Sequence, residues 1–170
     1  LPAMLYAYHG ERDEEKRKAL LKQTQTLLRK LRQMLRSHYR KNQMLIFPYL
    51  ERAGVLAPPR VLWSIEDDAI RGLWKLEENL VKSEGKQEGL NQEAAELARK
   101  ISDLVFRENR ILYPTMKTLL GDAEWKAIHL EAERIGYNVR AEEEWTPPVE
   151  PVYPYQYEKK LTQEDISKLP

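Results

Sequence analysis

The chain has 170 residues, 42% hydrophobic and 32% charged, which is enough for one domain and a tail and suits long helices with solvated faces. Its 28 Lys and Arg against 27 Asp and Glu leave a net charge of +1, without the basic excess that a nucleic-acid partner would need. The absence of Cys excludes disulfides, thiolate metal sites and Cys nucleophiles; no stretch has the apolar length of a membrane span and no signal-peptide pattern opens the chain, so no membrane partner is expected and the expected location is cytoplasmic.

Residues 1–10 are short, mildly apolar and end in Gly10, and are expected to be a disordered or remnant segment. From Glu11 to about Ala53 there is no Gly, and Leu20, Thr24, Leu27, Leu31, Leu35, His38, Asn42, Leu45 and Tyr49 recur at helical spacing, mostly apolar. The acidic first turn of Asp13, Glu14 and Glu15 suits a helix start, and Ala53-Gly54 a stop. Ala57-Pro58-Pro59 is expected to be an ordered connector, with a second helix capped by Ser64. The second stripe is Trp63, Asp67, Ile70, Trp74, Glu77 and Val81, ending in a polar loop over 83–89. A third helix is expected from about Asn91 to Leu119, with stripe Leu97, Ile101, Leu104, Glu108, Ile111 and Thr115, and a short fourth from Ala123 to Ile135, closed by Gly136.

Beyond Tyr137 the character changes. The run from Trp145 to Tyr155 holds Pro147, Pro148, Pro151 and Pro154, which remove donors and fix φ, so extended chain is expected, with a further helical turn after Thr162 as cap. The chain thus divides into three segments: 1–10 disordered or remnant, 11–140 a helical bundle, and 141–170 a Pro- and Tyr-rich linker. Trp63, Trp74, Trp125 and Trp145 are expected to be packing anchors, Trp145 pinning the tail to the bundle.

A repeat runs through the chain. Lys41-Asn42-Gln43-Met44-Leu45-Ile46-Phe47-Pro48 and Arg107-Glu108-Asn109-Arg110-Ile111-Leu112-Tyr113-Pro114 share the order basic, polar, polar, any, apolar, apolar, aromatic, Pro. Both copies sit near the end of a long helix, and both place an inward polar residue, Asn42 or Glu108, at the same point. This predicts an all-α bundle with internal pseudo-symmetry, in which two parallel helices present polar groups to a common interior. Metal sites in bundles are built from facing helices with His and carboxylates three or four residues apart, as His38 and Asn42 are. His38, Asn42, Glu66 or Asp67, and Glu108 are therefore candidates to converge, with Gln43 beside them. A buried Glu108 needs a cation, an Arg or Lys, or a proton.

The run His38-Tyr39-Arg40-Lys41 through Leu45-Ile46-Phe47-Pro48-Tyr49-Leu50-Glu51, with Gly54 and Pro58-Pro59, resembles the second helix of hemerythrin-like (HHE cation-binding) domains of the kind found before a PAS sensor domain. Val61-Leu62-Trp63, Asp67-Asp68 and Ile70-Arg71 resemble the start of the third helix, and Phe106-Arg107-Glu108-Asn109 with Ile111-Leu112-Tyr113-Pro114 resembles the fourth. Glu124-Trp125, Ile128, Ile135-Gly136-Tyr137 and Trp145-Thr146-Pro147 resemble the segment after the family's fourth helix. Leu161-Thr162-Gln163-Glu164 and Leu169-Pro170 resemble the lead-in to a PAS domain. The resemblance implies an all-α, up-down four-helix bundle able to hold iron or another divalent cation through His and carboxylates, and a sensing or signalling role. The family's second helix usually carries Glu where this chain has Asn42-Gln43, its fourth usually has paired Glu where this one has Glu108-Asn109, and its first helix is not recognisable before residue 11. With three His in all (His9, His38 and His129), a di-iron site of oxygen-carrier type is not expected.

Each candidate has a plainer reading. His38 is either a ligand or a core-edge His bonded to a carboxylate such as Glu66 or Asp67, and a single His on an apolar stripe favours the second. Asn42 and Gln43 are weak oxygen ligands or, preferably, a hydrogen-bonded polar layer where a metal site has been lost. Glu108 is a ligand or half of a buried ion pair. Glu66 and Asp67 are most simply favourable first-turn charges, and His129 and Glu133 a surface pair. No nucleophile–base pair, phosphate loop or paired-carboxylate hydrolase motif is present, so no enzymatic activity is expected. The expected function is a regulatory domain with a degenerate site, with or without metal, acting on an adjoining PAS domain or partner protein. The alternatives are a structural or interaction bundle, including a homodimer through the long helices, and a carboxylate-rich iron protein.

Overall fold

The computed structural model of the protein describes every residue except Gly85, Gln87 and Glu144. Its elements are α1 (Pro2–Gly10), α2 (Glu14–Lys41), a π-turn (Asn42–Ile46), α3 (Phe47–Arg52), α4 (Ala57–Lys82), α5 (Leu90–Arg107), a second π-turn (Glu108–Leu112), α6 (Tyr113–Leu119), α7 (Asp122–Ile135), a 3-10 turn (Pro154–Gln156) and α8 (Gln163–Ser167). Among the described residues there is no strand, and the fold is the expected all-α helical bundle. The polar loop expected over 83–89 includes Gly85 and Gln87, which lie outside the described residues.

The two π-turns fall on the two copies of the sequence repeat. Pro48 and Pro114 each lack an N–H, and each ring would collide with the carbonyl four residues back, so a regular α-helix cannot run through them. The chain resolves this by widening the preceding turn: the Phe47 N–H bonds the Asn42 carbonyl and the Tyr113 N–H bonds the Glu108 carbonyl, five residues back in both cases. The extra residue shifts the inward phase. Leu45 and Ile46 are both buried, and in the second copy Leu112 and Met116 turn inward while Ile111, expected on the stripe, is exposed.

The chain forms two compact units. The first comprises residues 1–36 and 65–104. Its core joins Leu5, Leu28, Leu73, Leu76, Leu80, Leu90, Ala94 and Leu97. The opening segment, expected to be disordered or a remnant, forms α1, buries Leu5 completely, and donates a hydrogen bond from the Tyr8 hydroxyl to the Glu84 carbonyl at 2.5 Å. The second stripe is also out of phase with its expectation. Ala69, Leu73, Leu76 and Leu80 are the fully buried apolar residues of α4 here, whereas Trp74 and Val81 are exposed. Trp74 instead lies 4.2 Å from the Arg32 guanidinium, and Arg32 and Arg29 flank the buried Glu77 carboxylate at 3.1 and 2.6 Å. Gly72 permits a close approach: a Cβ there would stand 2.8 Å from Leu97 Cδ1.

The second unit comprises residues 37–64 and 105–170. Helix α4 starts at Ala57, so Pro58 and Pro59 are not a connector and Ser64 is not its cap. Both prolines occupy the first turn, where the N–H groups have no helical partner to lose. Leu62 is buried and Trp63 exposed, again one residue off the expected phase, although Trp63 keeps a tilted contact with Phe47. The expected linker is largely integrated into this unit. The Tyr49 hydroxyl donates to the Val152 carbonyl at 2.6 Å, the Val152 N–H to Ala123, and the Leu161 N–H to Ala53. Tyr157 is buried edge-on against Tyr49 and donates to the Leu119 carbonyl at 3.1 Å. Burial raises the pKa of both phenols, Tyr49 the more strongly. These two tyrosines, rather than the half-exposed Trp145, fasten the tail. Thr162 caps α8 as expected, accepting from the Asp165 N–H.

Candidate functional site

Within the second unit, the last turn of α2, the two π-turns and the first residue of α6 bring His38, Asn42, Glu108 and Tyr113 together. His38 Nε2 lies 3.0 and 2.9 Å from the two Glu108 carboxylate oxygens. The Asn42 amide donates to Glu108 Oε1 at 2.7 Å, and the Tyr113 hydroxyl donates to Asn42 Oδ1 at 3.3 Å. Asn42 is 2% and Glu108 4% exposed, so their polar atoms are removed from bulk water and depend on these bonds. The order of donors and acceptors fixes the amide orientation, because a carboxylate only accepts. The carboxylate draws both the imidazole and the amide N–H, and the amide oxygen is left to take the tyrosine proton.

Of the six candidates read from the sequence, His38, Asn42 and Glu108 meet in this network. Gln43, on the same π-turn, is half-buried. Glu66 is fully buried and Asp67 half-buried, and both belong to the first unit. Glu66, read either as a converging site residue or as a first-turn charge, is inward and lies well inside α4, because the helix begins seven residues before Ser64. Tyr113 is a site residue that the sequence reading passed over. Its signal was present: it occupies the repeat position of Phe47 and adds a hydroxyl there.

The His129–Glu133 surface pair does not form. His129 Nδ1 lies 3.1 Å from the Tyr137 hydroxyl, and Glu133 sits 3.5 Å from Arg140. The Tyr137 ring carries the Lys41 ammonium 4.4 Å from its centre. Burial lowers the pKa of Lys41.

Two kinked helices presenting a buried polar cluster define a helical-bundle domain whose interior is arranged for polar chemistry. The profile described as the hemerythrin HHE cation binding domain matches residues 3–116, from α1 into α6, and the chain belongs to this family. The match begins within α1, in the segment expected to be a remnant. None of the curated proteins matches the chain.

Domains of this family bind metal cations such as iron. The donor set in the second unit does not fit such an ion. It offers one imidazole, one carboxylate and one amide, and amides are poor ligands for transition metals. The carboxylate lone pairs already accept from His38 and Asn42, and the amide presents its N–H rather than its oxygen to Glu108. Among the described residues, no group of three or more His, Cys, Asp and Glu is gathered as a cation would require. No helix of the described residues is long and apolar enough to cross a membrane.

Proposed function

We propose that this chain is a non-enzymatic regulatory hemerythrin-like domain in which a self-satisfied hydrogen-bond network replaces the metal centre, and that it acts on an adjoining PAS domain through its C-terminal tail. The observation that carries this reading is the filling of the Glu108 carboxylate by His38 and Asn42. A carboxylate so occupied is stabilised without a metal, and every member of the network depends on the others. The route outward is short. Asn42 opens the π-turn that leads into α3, and α3 and the residue after it hold the tail at two points: the Tyr49 hydroxyl on Val152, and the Ala53 carbonyl under Leu161. A change at Asn42 thus acts on the segment that leads out of the domain. The resemblance of Leu161-Thr162-Gln163-Glu164 and Leu169-Pro170 to a PAS lead-in supports the identity of the partner.

Amide hydrogen exchange tests the coupling. In a Glu108→Gln variant, residues 150–163 are expected to exchange faster than in the parent protein, while the first-unit core around Leu76 keeps its protection. Unchanged exchange in 150–163 would mean that the network and the tail are not coupled, and would remove the signalling part of the reading.

A further inference from the structure

A cavity of about 280 Å³ opens beside the polar network in the second unit, with Lys41, Ile46, Trp125, Ile128, Tyr137 and Trp145 in its wall. We propose that it is a binding site for a small organic acid carrying a single aromatic ring. The reading rests on three observations. The volume is the first: about 150 Å³ is enough for benzene, so the cavity takes one ring with a short acidic substituent. The wall is the second. Indole, phenol and branched aliphatic side chains give a ring flat surfaces to lie on, and binding pockets of this type add only a few polar groups to fix orientation.

The third observation is charge. Lys41 brings its ammonium to this cavity over the face of Tyr137, and no carboxylate of the described residues offsets it. Of the acids of this unit, Glu108 is engaged by His38 and Asn42, and Glu133, in the adjoining surface with His129, Tyr137 and Trp145, pairs with Arg140. A half-buried cation beside an apolar cavity favours an anion, and one ammonium suits a monoanionic carboxylate better than a phosphate dianion, which takes several donors. The half-exposed Trp145 marks the rim, so the site is open to a ligand from solution. This inference does not depend on the proposed signalling role. Failure of the acids to bind would leave the network and its coupling to the tail untouched.

The test uses the intact chain and three probes, benzoate, phenylacetate and 3-phenylpropionate, each paired with its neutral amide. Binding is read by calorimetry and by the NMR shifts of the Trp125 and Trp145 indole N–H signals. At least one acid is expected to saturate with shifts at both indoles, binding about tenfold or more tightly than its amide, a difference worth about 1.4 kcal/mol. Lys41→Met is expected to erase that preference and Lys41→Arg to retain it. The proposal is overturned if no acid of the panel saturates the indole shifts, or if acid and amide bind the parent protein equally, a comparison that needs no variant to fold. It is equally overturned if a folded Lys41→Met protein keeps the preference.

Discussion

Replacing Glu108 by Ala is expected to cost about 3 kcal/mol of stability, between the ~1–3 kcal/mol of a buried donor left unsatisfied and the ~3–5 kcal/mol of a broken buried ion pair. The lower bound applies because His38 keeps 38% of its side chain exposed and can turn to water. The upper bound is approached because Asn42, 2% exposed, loses the acceptor of its amide N–H, and because the deletion leaves a void between the two π-turns. For a chain of this size the melting temperature should fall by roughly 6–12 °C. Glu108→Gln preserves the volume and one acceptor and should cost about 1–2 kcal/mol. Thermal and urea unfolding of the two variants would measure this. An Ala variant as stable as the parent would show that the carboxylate is not a structural centre of the second unit.

The second large effect is a gain. Changing Asn42→Glu together with Gln43→Glu restores carboxylates where the family usually has them. At position 42 the new carboxylate would stand where the amide now donates to Glu108 at 2.7 Å, so two like charges would share one buried site. Without a cation the double variant should be less stable than the parent. With iron(II) or zinc(II) it should recover, because a ligand that binds only the folded state stabilises it by mass action. Its metal affinity should exceed that of the parent by at least the ~10–100-fold that outer-shell groups alone contribute at metal sites. A double variant whose melting temperature ignores added metal would mean that His38 and Glu108 are not placed to share a cation with residue 42.

Much of the fold and the site was legible in the sequence, for identifiable reasons. The repeat around Pro48 and Pro114 placed Asn42 and Glu108 at corresponding points, although the kink that proline's missing donor imposes on each copy was not read from it. The form of the kink, a π-turn, was not legible, since periodicity does not distinguish a widened turn from a helix end. The α4 stripe was read through Trp63 and Trp74, whereas the buried row is Leu62, Glu66, Ala69, Leu73, Leu76 and Leu80. Two rows one residue apart both look amphipathic when large aromatics sit on the outer one, and Arg32 gives Trp74 a favourable place at the surface. The same slip put Asp67 in place of Glu66 on the expected α4 stripe. Pro58-Pro59 read as a break because proline ends helices as well as opening them. The docking of α1 and of the tail depends on residues distant in sequence, Tyr8 with Glu84 and Tyr157 with Leu119, for which no local pattern exists.

The central claim is that the His38–Glu108–Asn42–Tyr113 network satisfies itself and holds no metal. It is tested most directly by the metal content of the purified chain, measured by inductively coupled plasma mass spectrometry after anaerobic incubation with iron(II) and removal of unbound ion. The account predicts far less than one iron per chain. Roughly one or two irons retained per chain, the number that the few ligands of a bundle site can hold, would contradict it and would mean that the bonds on Glu108 open to admit a cation.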